Sequence, residues 1–260
     1  MILKSASTLD GRLASSTGDS RWITSPSSRR AVHGLRHACD AILVGSGTVA
    51  GDNPSLTARL DGVTTRDPRR VILDSSLAIP MDARVLTQVS EADTIIATSL
   101  NAPSEKCAAL EAQGATILKI PPALKIPPSL KIPPSSKIPP APSNPETRED
   151  ILSPCPDAQE VYDARELLDL HVLMEKLGEM GIISLLVEGG SRVNASFLAA
   201  GLVNKVMFFI APKMLGGDDG VPVCRGRGPL LMKDALQLKR VDMVRFEDDI
   251  LIQGYLRNGH

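Results

Sequence analysis

Asp40-Ala41-Ile42-Leu43-Val44-Gly45-Ser46-Gly47-Thr48-Val49 is the stretch on which the fold turns. Asp40–Val44 is strand-sized and almost wholly apolar, the pattern of a strand buried on both faces of a parallel sheet. The turn that follows, Gly45-Ser46-Gly47, is built of small residues and lets a ligand or a neighbouring backbone approach closely. Working outward, Ile2–Ala6 reads as a short buried strand and Pro26–Cys39 as a helix. Ser25 can cap that helix, with Pro26 at the first position, where a missing N–H costs nothing. Val32, Leu35 and Cys39 fall on one of its faces, and Arg29, His33 and Arg36 on another. Downstream come strands at Arg70–Leu73, Thr94–Ala97 and Ala115–Leu118, with a helix near Pro103–Ala112. Asp163 and Glu166 fit a capping box, opening a helix that runs to about Met180 and is stopped by Gly181. Then follow a strand at Ile182–Val187, a turn at Glu188-Gly189-Gly190, a helix at Ser191–Ala200 and a strand at Lys205–Ile210. Leu236–Phe246 and Ile250–Leu256 read as a hairpin turned at Glu247-Asp248-Asp249. Strands alternating with helices predict an α/β fold: a mostly parallel central sheet flanked by helices, ending in an antiparallel hairpin.

The chain of 260 residues is long enough for a core without metal or disulfide staples. Only 3% of residues are aromatic, so Leu, Ile, Val, Ala and Met must build that core. A formal net charge of −1 excludes broad nucleic-acid binding, which needs a basic surface, but leaves room for a local basic pocket. The four cysteines have no ligand-like spacing and read as reduced structural thiols of a cytoplasmic protein, with no metal. No run approaches the ~18 apolar residues of a membrane span, and the N-terminus lacks the pattern of a signal peptide.

From Lys119 the composition changes. Lys-Ile-Pro-Pro recurs at a six-residue period from Lys119, Lys125, Lys131 and Lys137, and ten of the 20 prolines lie between Ile120 and Pro145. Proline lacks the donor that helices and sheets need, so about 119–160 is expected to be an extended or disordered insert in one domain spanning 1–260. It reads first as a repeat-expanded surface loop, with a ligand for a proline-recognition domain as the alternative.

Five constellations carry chemistry. The loop Gly18-Asp19-Ser20-Arg21-Trp22-Ile23-Thr24-Ser25 sets the chain's one Trp among hydrogen-bonding groups, suited to stacking on a planar ring; it could also plug the loop onto the core. Arg29, His33 and Arg36, with Arg59 further on, suit a phosphate, or are a solvated helix face. After Gly47, one helical turn would put Thr48 and Asp52 on one face in a pocket; otherwise Asp52-Asn53-Pro54 is only a turn signal. Glu188-Gly189-Gly190-Ser191-Arg192 brings an apolar strand to a helix N-terminus, an anion site, or simply a tight turn. Lys4, on a partly buried strand face, needs an anionic or carbonyl partner, which could be a substrate group or a buried carboxylate.

Taken together, Lys4…Ser7-Thr8-Leu9-Asp10-Gly11-Arg12, the Gly18–Ser25 loop, Ala41–Val49, Asp52-Asn53-Pro54-Ser55-Leu56-Thr57…Arg59 and Val187-Glu188-Gly189-Gly190 strongly resemble the reductase domain of the bacterial bifunctional riboflavin deaminase–reductases. The resemblance covers nearly the whole chain outside the insert. It implies a dihydrofolate-reductase-like fold and hydride transfer from NADPH to ribose C1′ of 5-amino-6-(5-phosphoribosylamino)uracil, giving the ribitylamine. It implies cofactor contacts at Ala6, Trp22, Thr48, Asp52 and Ser75 and along Gly189, Gly190, Ser191, Arg192, Val193, Asn194, Ala195 and Ser196. It implies substrate contacts at Lys4, Ser20, Arg36, Leu56, Arg59 and Glu188, with Arg36 and Arg59 on the phosphate. Asp52, Glu188 and Lys4 are the candidates for proton handling. A homodimer is implied as well. The deaminase signatures H-x-E and P-C-x-x-C are missing, since Pro154-Cys155-Pro156-Asp157-Ala158 lacks the second Cys. Deamination is therefore expected from another chain or a missing segment. The alternatives are the variant reductase acting on the 2,5-diamino-pyrimidinone, and a silent ligand-binding paralogue or scaffold.

Overall fold

The computed structural model describes residues 1–123, 167–226 and 228–256. Its strands are β1 (Ile2–Thr8), β2 (Arg12–Ala14), β3 (Ala41–Gly45), β4 (Arg69–Leu73), β5 (Thr94–Ser99), β6 (Thr116–Ile120), β7 (Leu185–Val187), β8 (Lys205–Ala211), β9 (Val221–Pro222), β10 (Leu238–Phe246) and β11 (Asp249–Leu256). The helices are α1 (Pro26–Ala38), α2 (Ser46–Asp52), α3 (Arg84–Thr87), α4 (Ser104–Ala112), α5 (Leu170–Glu179) and α6 (Ser191–Ala199). Nine strands form one sheet in the order β10-β11-β8-β1-β7-β3-β4-β5-β6. Every neighbouring pair from β8 to β6 is parallel, and the β10–β11 hairpin adds to β8 antiparallel. This is the α/β architecture that the residue pattern predicts, a mostly parallel central sheet flanked by helices and closed by an antiparallel hairpin.

Alternation along the central strands explains why both faces are covered. Leu43, Val71 and Ile95 point into one apolar cluster with Leu173, Leu177 and Phe197 of α5 and α6. Their neighbours Ile42, Val44, Ile72 and Ile96 point into another, with Val49 of α2 and Leu110 of α4. A side chain such as Ile42 or Leu43, fully buried here, contributes about 1.5–3 kcal/mol relative to its exposed state. A smaller cluster seats α1 through Val32 on Met207, Phe209 and Leu251.

Helix α1 starts as expected: the Ser28 N–H donates to Ser25 Oγ at 3.3 Å, with Pro26 in the first turn. Long-range support comes from Asp249, whose Oδ2 accepts from the Ser25 N–H at 2.7 Å and from Ser28 Oγ at 2.6 Å.

Several boundaries differ from expectation. The capping box of Asp163 and Glu166 lies outside the described residues. Helix α5 is instead capped by Asp169, which accepts from the N–H groups of His171 and Val172. Strand β7 is three residues, not six, because Ile183 is 91% exposed and only Leu185 onward meets β1 and β3. Strand β6 runs two residues past Leu118, so the first Lys119-Ile120 of the repeat is sheet, with Ile120 fully buried. The hairpin turns at Glu247-Asp248, and Asp249 already belongs to β11. Strands β2 and β9 and the one-turn α3 carry no periodicity and had no prediction. Residues 121–123 continue beside residues 167–169, with an isolated bridge from Pro122 to Leu168, and the insert from residue 124 on lies outside the described residues.

Candidate active site

From β3 the chain winds outward through β4, β5 and β6; after α5 it returns to the other side of β3 and proceeds to β7. The winding direction therefore reverses between β3 and β7, and ligands of open α/β sheets bind beyond the carboxyl ends of strands at such a point. Helix α2 begins there directly after β3, and α6 after the three residues Glu188-Gly189-Gly190 that follow β7.

Glycines make this junction possible. A Cβ on Gly189 would lie 2.4 Å from Val193 Cγ1, and one on Gly45 3.0 Å from Val193 Cγ2. Val193, in the first turn of α6, thus rests on backbone that only glycine leaves free. A Cβ on Gly190 would meet Thr48 Oγ1 at 3.6 Å, so the starts of α2 and α6 lie side by side. No side chain caps either helix, whereas α1 and α5 are both capped. Ser191 Oγ and Asn194 Oδ1, both buried, have no hydrogen-bond partner among the described residues, although Asn194 Nδ2 donates to Val223 O at 2.9 Å. Uncapped N–H groups, the positive end of the α6 dipole and orphaned polar atoms fit an anionic, hydrogen-bonding ligand such as a dinucleotide phosphate.

The charged part of the site lies at the end of β7. Glu188, 9% exposed, takes Arg36 Nε on Oε1 at 2.8 Å and Arg36 Nη2 on Oε2 at 3.1 Å. Lys4 Nζ stands 3.5 Å from Oε2 and 5.9 Å from the Phe209 ring centre. Two cations thus share one carboxylate in a largely buried place, and the local surplus is positive. Burial alone would raise the Glu188 pKa, but the Arg36 guanidinium and the Lys4 ammonium outweigh it and hold the group at about 2. Glu188 is therefore a carboxylate at neutral pH, able to orient and to accept but with no proton to give. Burial, aided by the charge of Arg36, pushes the Lys4 pKa down, while Glu188 opposes that shift. For Lys4 the carboxylate partner is the one found; for Arg36 a bidentate pair replaces the solvated helix face.

The remaining predicted residues have other surroundings. Trp22 is 65% exposed, with the Arg29 guanidinium 4.4 Å over its ring, so it does not plug the loop onto the core. Lys213 Nζ donates to Trp22 O at 2.6 Å, and Arg21 Nη2 to Asp52 O at 3.3 Å, which ties the Trp loop to the end of α2. Asp52 itself is exposed, on the last turn of the predicted helix α2. Leu56 is buried among Ile42, Val44 and Val49 with φ +55°, so what it offers a ligand is backbone. Arg59 is exposed, and its N–H donates to His33 Nδ1 at 3.2 Å. Ala6 packs beside Phe209. Ser75 follows β4, its carbonyl taken by Thr98 Oγ1 and the Ser99 N–H. Arg192 is exposed on the first turn of α6, and Ala195 and Ser196 lie on the next. Among the described residues, no hydrogen bond or ion pair joins the side chains of Ser20, Asp52 or Ser75 to the Lys4–Glu188–Arg36 cluster. The sequence reading gave Thr57, Lys213 and Asp249 no part in the site; each acts through partners distant in the chain, with no local signal. A hollow of about 230 Å³ lined by Met1, Leu177, Ile182, Leu185 and Asn204 sits at the opposite ends of the strands, away from this cluster. No described helix is long and apolar enough to cross a membrane.

Residues 1–252 match the family model described as the RibD C-terminal domain. The chain is 34% identical over 254 residues to the 2,5-diamino-6-ribosylamino-4(3H)-pyrimidinone 5′-phosphate reductase of Methanothermobacter thermautotrophicus, covering 97% of this chain and 96% of that protein. It is 33% identical to the riboflavin biosynthesis protein RibD of Bacillus amyloliquefaciens, covering the whole of this chain but 58% of that one. Among solved structures, Acinetobacter baumannii RibD superposes with a TM-score of 0.71 at 22% identity, over 98% of this chain and 57% of the other, which speaks to fold alone. A deaminase/5-amino-6-(5-phosphoribosylamino)uracil reductase from Thermotoga maritima superposes at 0.63 with 28% identity, over 98% and 56%. The chain thus spans somewhat over half the length of these RibD relatives and nearly all of the Methanothermobacter protein.

Proposed function

The chain belongs to the RibD C-terminal domain family, and from that premise we propose that it reduces 5-amino-6-(5-phosphoribosylamino)uracil at ribose C1′ with NADPH. It is an oxidoreductase of the riboflavin-biosynthesis reductase type. The observation that carries the substrate reading is the Lys4–Glu188–Arg36 cluster, a buried carboxylate with two cations beside the switch point.

NADPH, when bound, supplies the hydride. The residues for it are Gly189, Gly190, Ser191, Arg192, Val193, Asn194, Ala195 and Ser196 on α6 and its approach, with Ala6, Trp22, Thr48, Asp52 and Ser75 around them. The uncapped start of α6 and the orphaned Ser191 Oγ and Asn194 Oδ1 support that assignment. Lys4, Ser20, Arg36, Leu56, Arg59 and Glu188 hold the substrate, Arg59 and the cationic surplus at Arg36 facing its phosphate. Glu188, fixed as a carboxylate, fits orientation of ribose hydroxyls by accepting their protons in hydrogen bonds. Lys4 is the better-suited proton donor as the ribosylamine ring opens: its ammonium is destabilised by burial and by Arg36, yet held in place by Glu188. Asp52, exposed at the end of α2, fits a cofactor contact better than a proton relay.

A second reading has its own observation. The match to the Methanothermobacter protein runs nearly end to end, and that protein is named for the 2,5-diamino-pyrimidinone phosphate. NADPH oxidation by purified protein, run with each phosphate in parallel, separates the two. We expect turnover with the uracil; turnover confined to the diamino compound would move the chain to the second reading. Deamination then belongs to another chain or another segment. A homodimer is part of the same proposal. The exposed apolar residues Leu230, Leu236, Val241 and Met243, on β10 and the stretch before it, are the face for it, and size-exclusion with light scattering is the check. The single-domain organisation with an insert near 119–160, and a cytoplasmic location, complete the reading.

A further inference from the structure

Residues 54–68, between α2 and β4, form no helix or strand, yet they carry Arg59. Gln88 Nε2 donates to Ser55 O and Ser90 Oγ to Asp67 Oδ2, and the rest of the loop's long-range hydrogen bonds come largely from α1. His33 and His37 are four residues apart and lie on one face of that helix. The Arg59 N–H donates to His33 Nδ1 at 3.2 Å, and the Arg66 N–H donates to His37 Nδ1 at 3.0 Å. An Nδ1 that accepts carries no proton, so these contacts require neutral rings protonated at Nε2. Between them, Arg36 Nη1 donates to Thr57 O at 3.2 Å. The loop also closes on itself: Asp67 Oδ1 accepts from the Ala58 N–H, and Thr65 Oγ1 donates to Ala58 O, both at 2.9 Å.

His33 has a choice that His37 lacks. Its Nδ1 is also 3.1 Å from Thr57 O. With the proton on Nδ1 the ring donates to Thr57 O and gives up the Arg59 N–H; with the proton on Nε2 it holds Arg59. The groups facing His33 are Arg36 from α1, Arg59 from the loop and Glu188 from the end of β7. Burial and the two guanidinium groups lower its pKa, so the ring stays neutral at physiological pH. Arg36 touches both Glu188 and the loop carbonyl, so α1 joins the charged cluster to the Arg59 loop in one piece.

We propose that His33 and His37 are positioning residues: a two-histidine clamp on the backbone of the 54–68 loop that sets Arg59 for the substrate's phosphate without touching the substrate. The proposal rests on the reading of Arg59 as a phosphate ligand. Steady-state kinetics on the full chain test it, with the phosphorylated substrate and its phosphate-free nucleoside. His33→Leu should raise KM for the phosphorylated substrate about fivefold, the worth of one neutral hydrogen bond, with kcat and the KM for NADPH within about twofold of wild type. The KM for the nucleoside should not move. His33→Asn, whose Oδ1 can stand where Nδ1 accepts, should recover most of the loss. His37→Leu, at the far end of the loop, should act in the same direction and more weakly. Adding His33→Leu to Arg59→Ala should cost nothing further. An unchanged KM in Arg59→Ala would overturn the phosphate reading and the clamp with it. A raised KM in Arg59→Ala with no change in His33→Leu, or with independent multiplying effects of the two, would leave the phosphate reading standing and overturn the clamp.

Discussion

The two halves of the site solve opposite problems. Around Glu188 every charge already has a partner: the carboxylate takes two bonds from Arg36 and faces Lys4. Around the start of α6 the reverse holds, with no side-chain cap and two buried oxygens that have no partner among the described residues. The charged half is organised before anything binds, and folding stability is invested in it. The helix-start half, as the described residues build it, leaves polar groups for which the proposed cofactor supplies bonds. Removing a polar group should therefore hurt the first half with or without ligand, and the second half chiefly in its presence.

The largest effect is expected from Glu188→Ala. It leaves Lys4 and Arg36 side by side in a buried place, and breaking a buried pair by removing one partner costs about 3–5 kcal/mol. Denaturant unfolding of the apo protein should show that loss, and activity should fall at least about a hundredfold. A variant as stable as wild type would break the comparison. The pH dependence sharpens it. Glu188 has its pKa depressed from 4.5 to about 2 in the folded protein, so its stabilisation is complete above the unfolded value and drains away as pH falls from there toward 2. Apo-protein melting points should drop across that window, and Glu188→Gln should flatten the drop. Next in size is Gly189→Ala, whose Cβ would stand 2.4 Å from Val193 Cγ1. Overpacking of this kind costs about 1–3 kcal/mol, and Val193→Ala should restore part of it, as read by thermal melting with and without NADPH. The smallest effect is Ser191→Ala. Removing an unpaired buried hydroxyl should leave the apo melting point unchanged or slightly higher, while NADPH binding weakens by about two- to tenfold in calorimetry. Loss of apo stability instead would mean that Ser191 already has its partner.

What was legible in the sequence was local. The apolar run before Gly45 and the one before Glu188 announced strands, Gly45 announced close approach, and Gly189-Gly190 announced the turn into a helix start, because each signal lies within a few residues. The pairing of Arg36 with Glu188 joins residues 152 apart, and a helix face of charges looks the same whether it meets solvent or a buried carboxylate. Val193 gives the reason for Gly189, but only after α6 is docked. His33 and His37 were visible as helix residues, while their hydrogen-bond donors belong to a loop with no pattern of its own. Strands β2 and β9 have three and two residues and pair across about 200 positions, below anything periodicity can detect.

Strand β1 is the first element of the chain and sits near the middle of the sheet, with β7 and β8 as its neighbours. Ile2 pairs with Leu186 and Lys205. At ordinary rates of synthesis, about 5–20 residues per second, that strand leaves the ribosome roughly 10–40 s before either partner exists. Lys4 travels with it. For that interval a sheet-forming segment has both edges open, the kind of unpaired strand that is prone to aggregate. The half of the site that is complete before any ligand arrives is thus among the last parts of the molecule to be assembled.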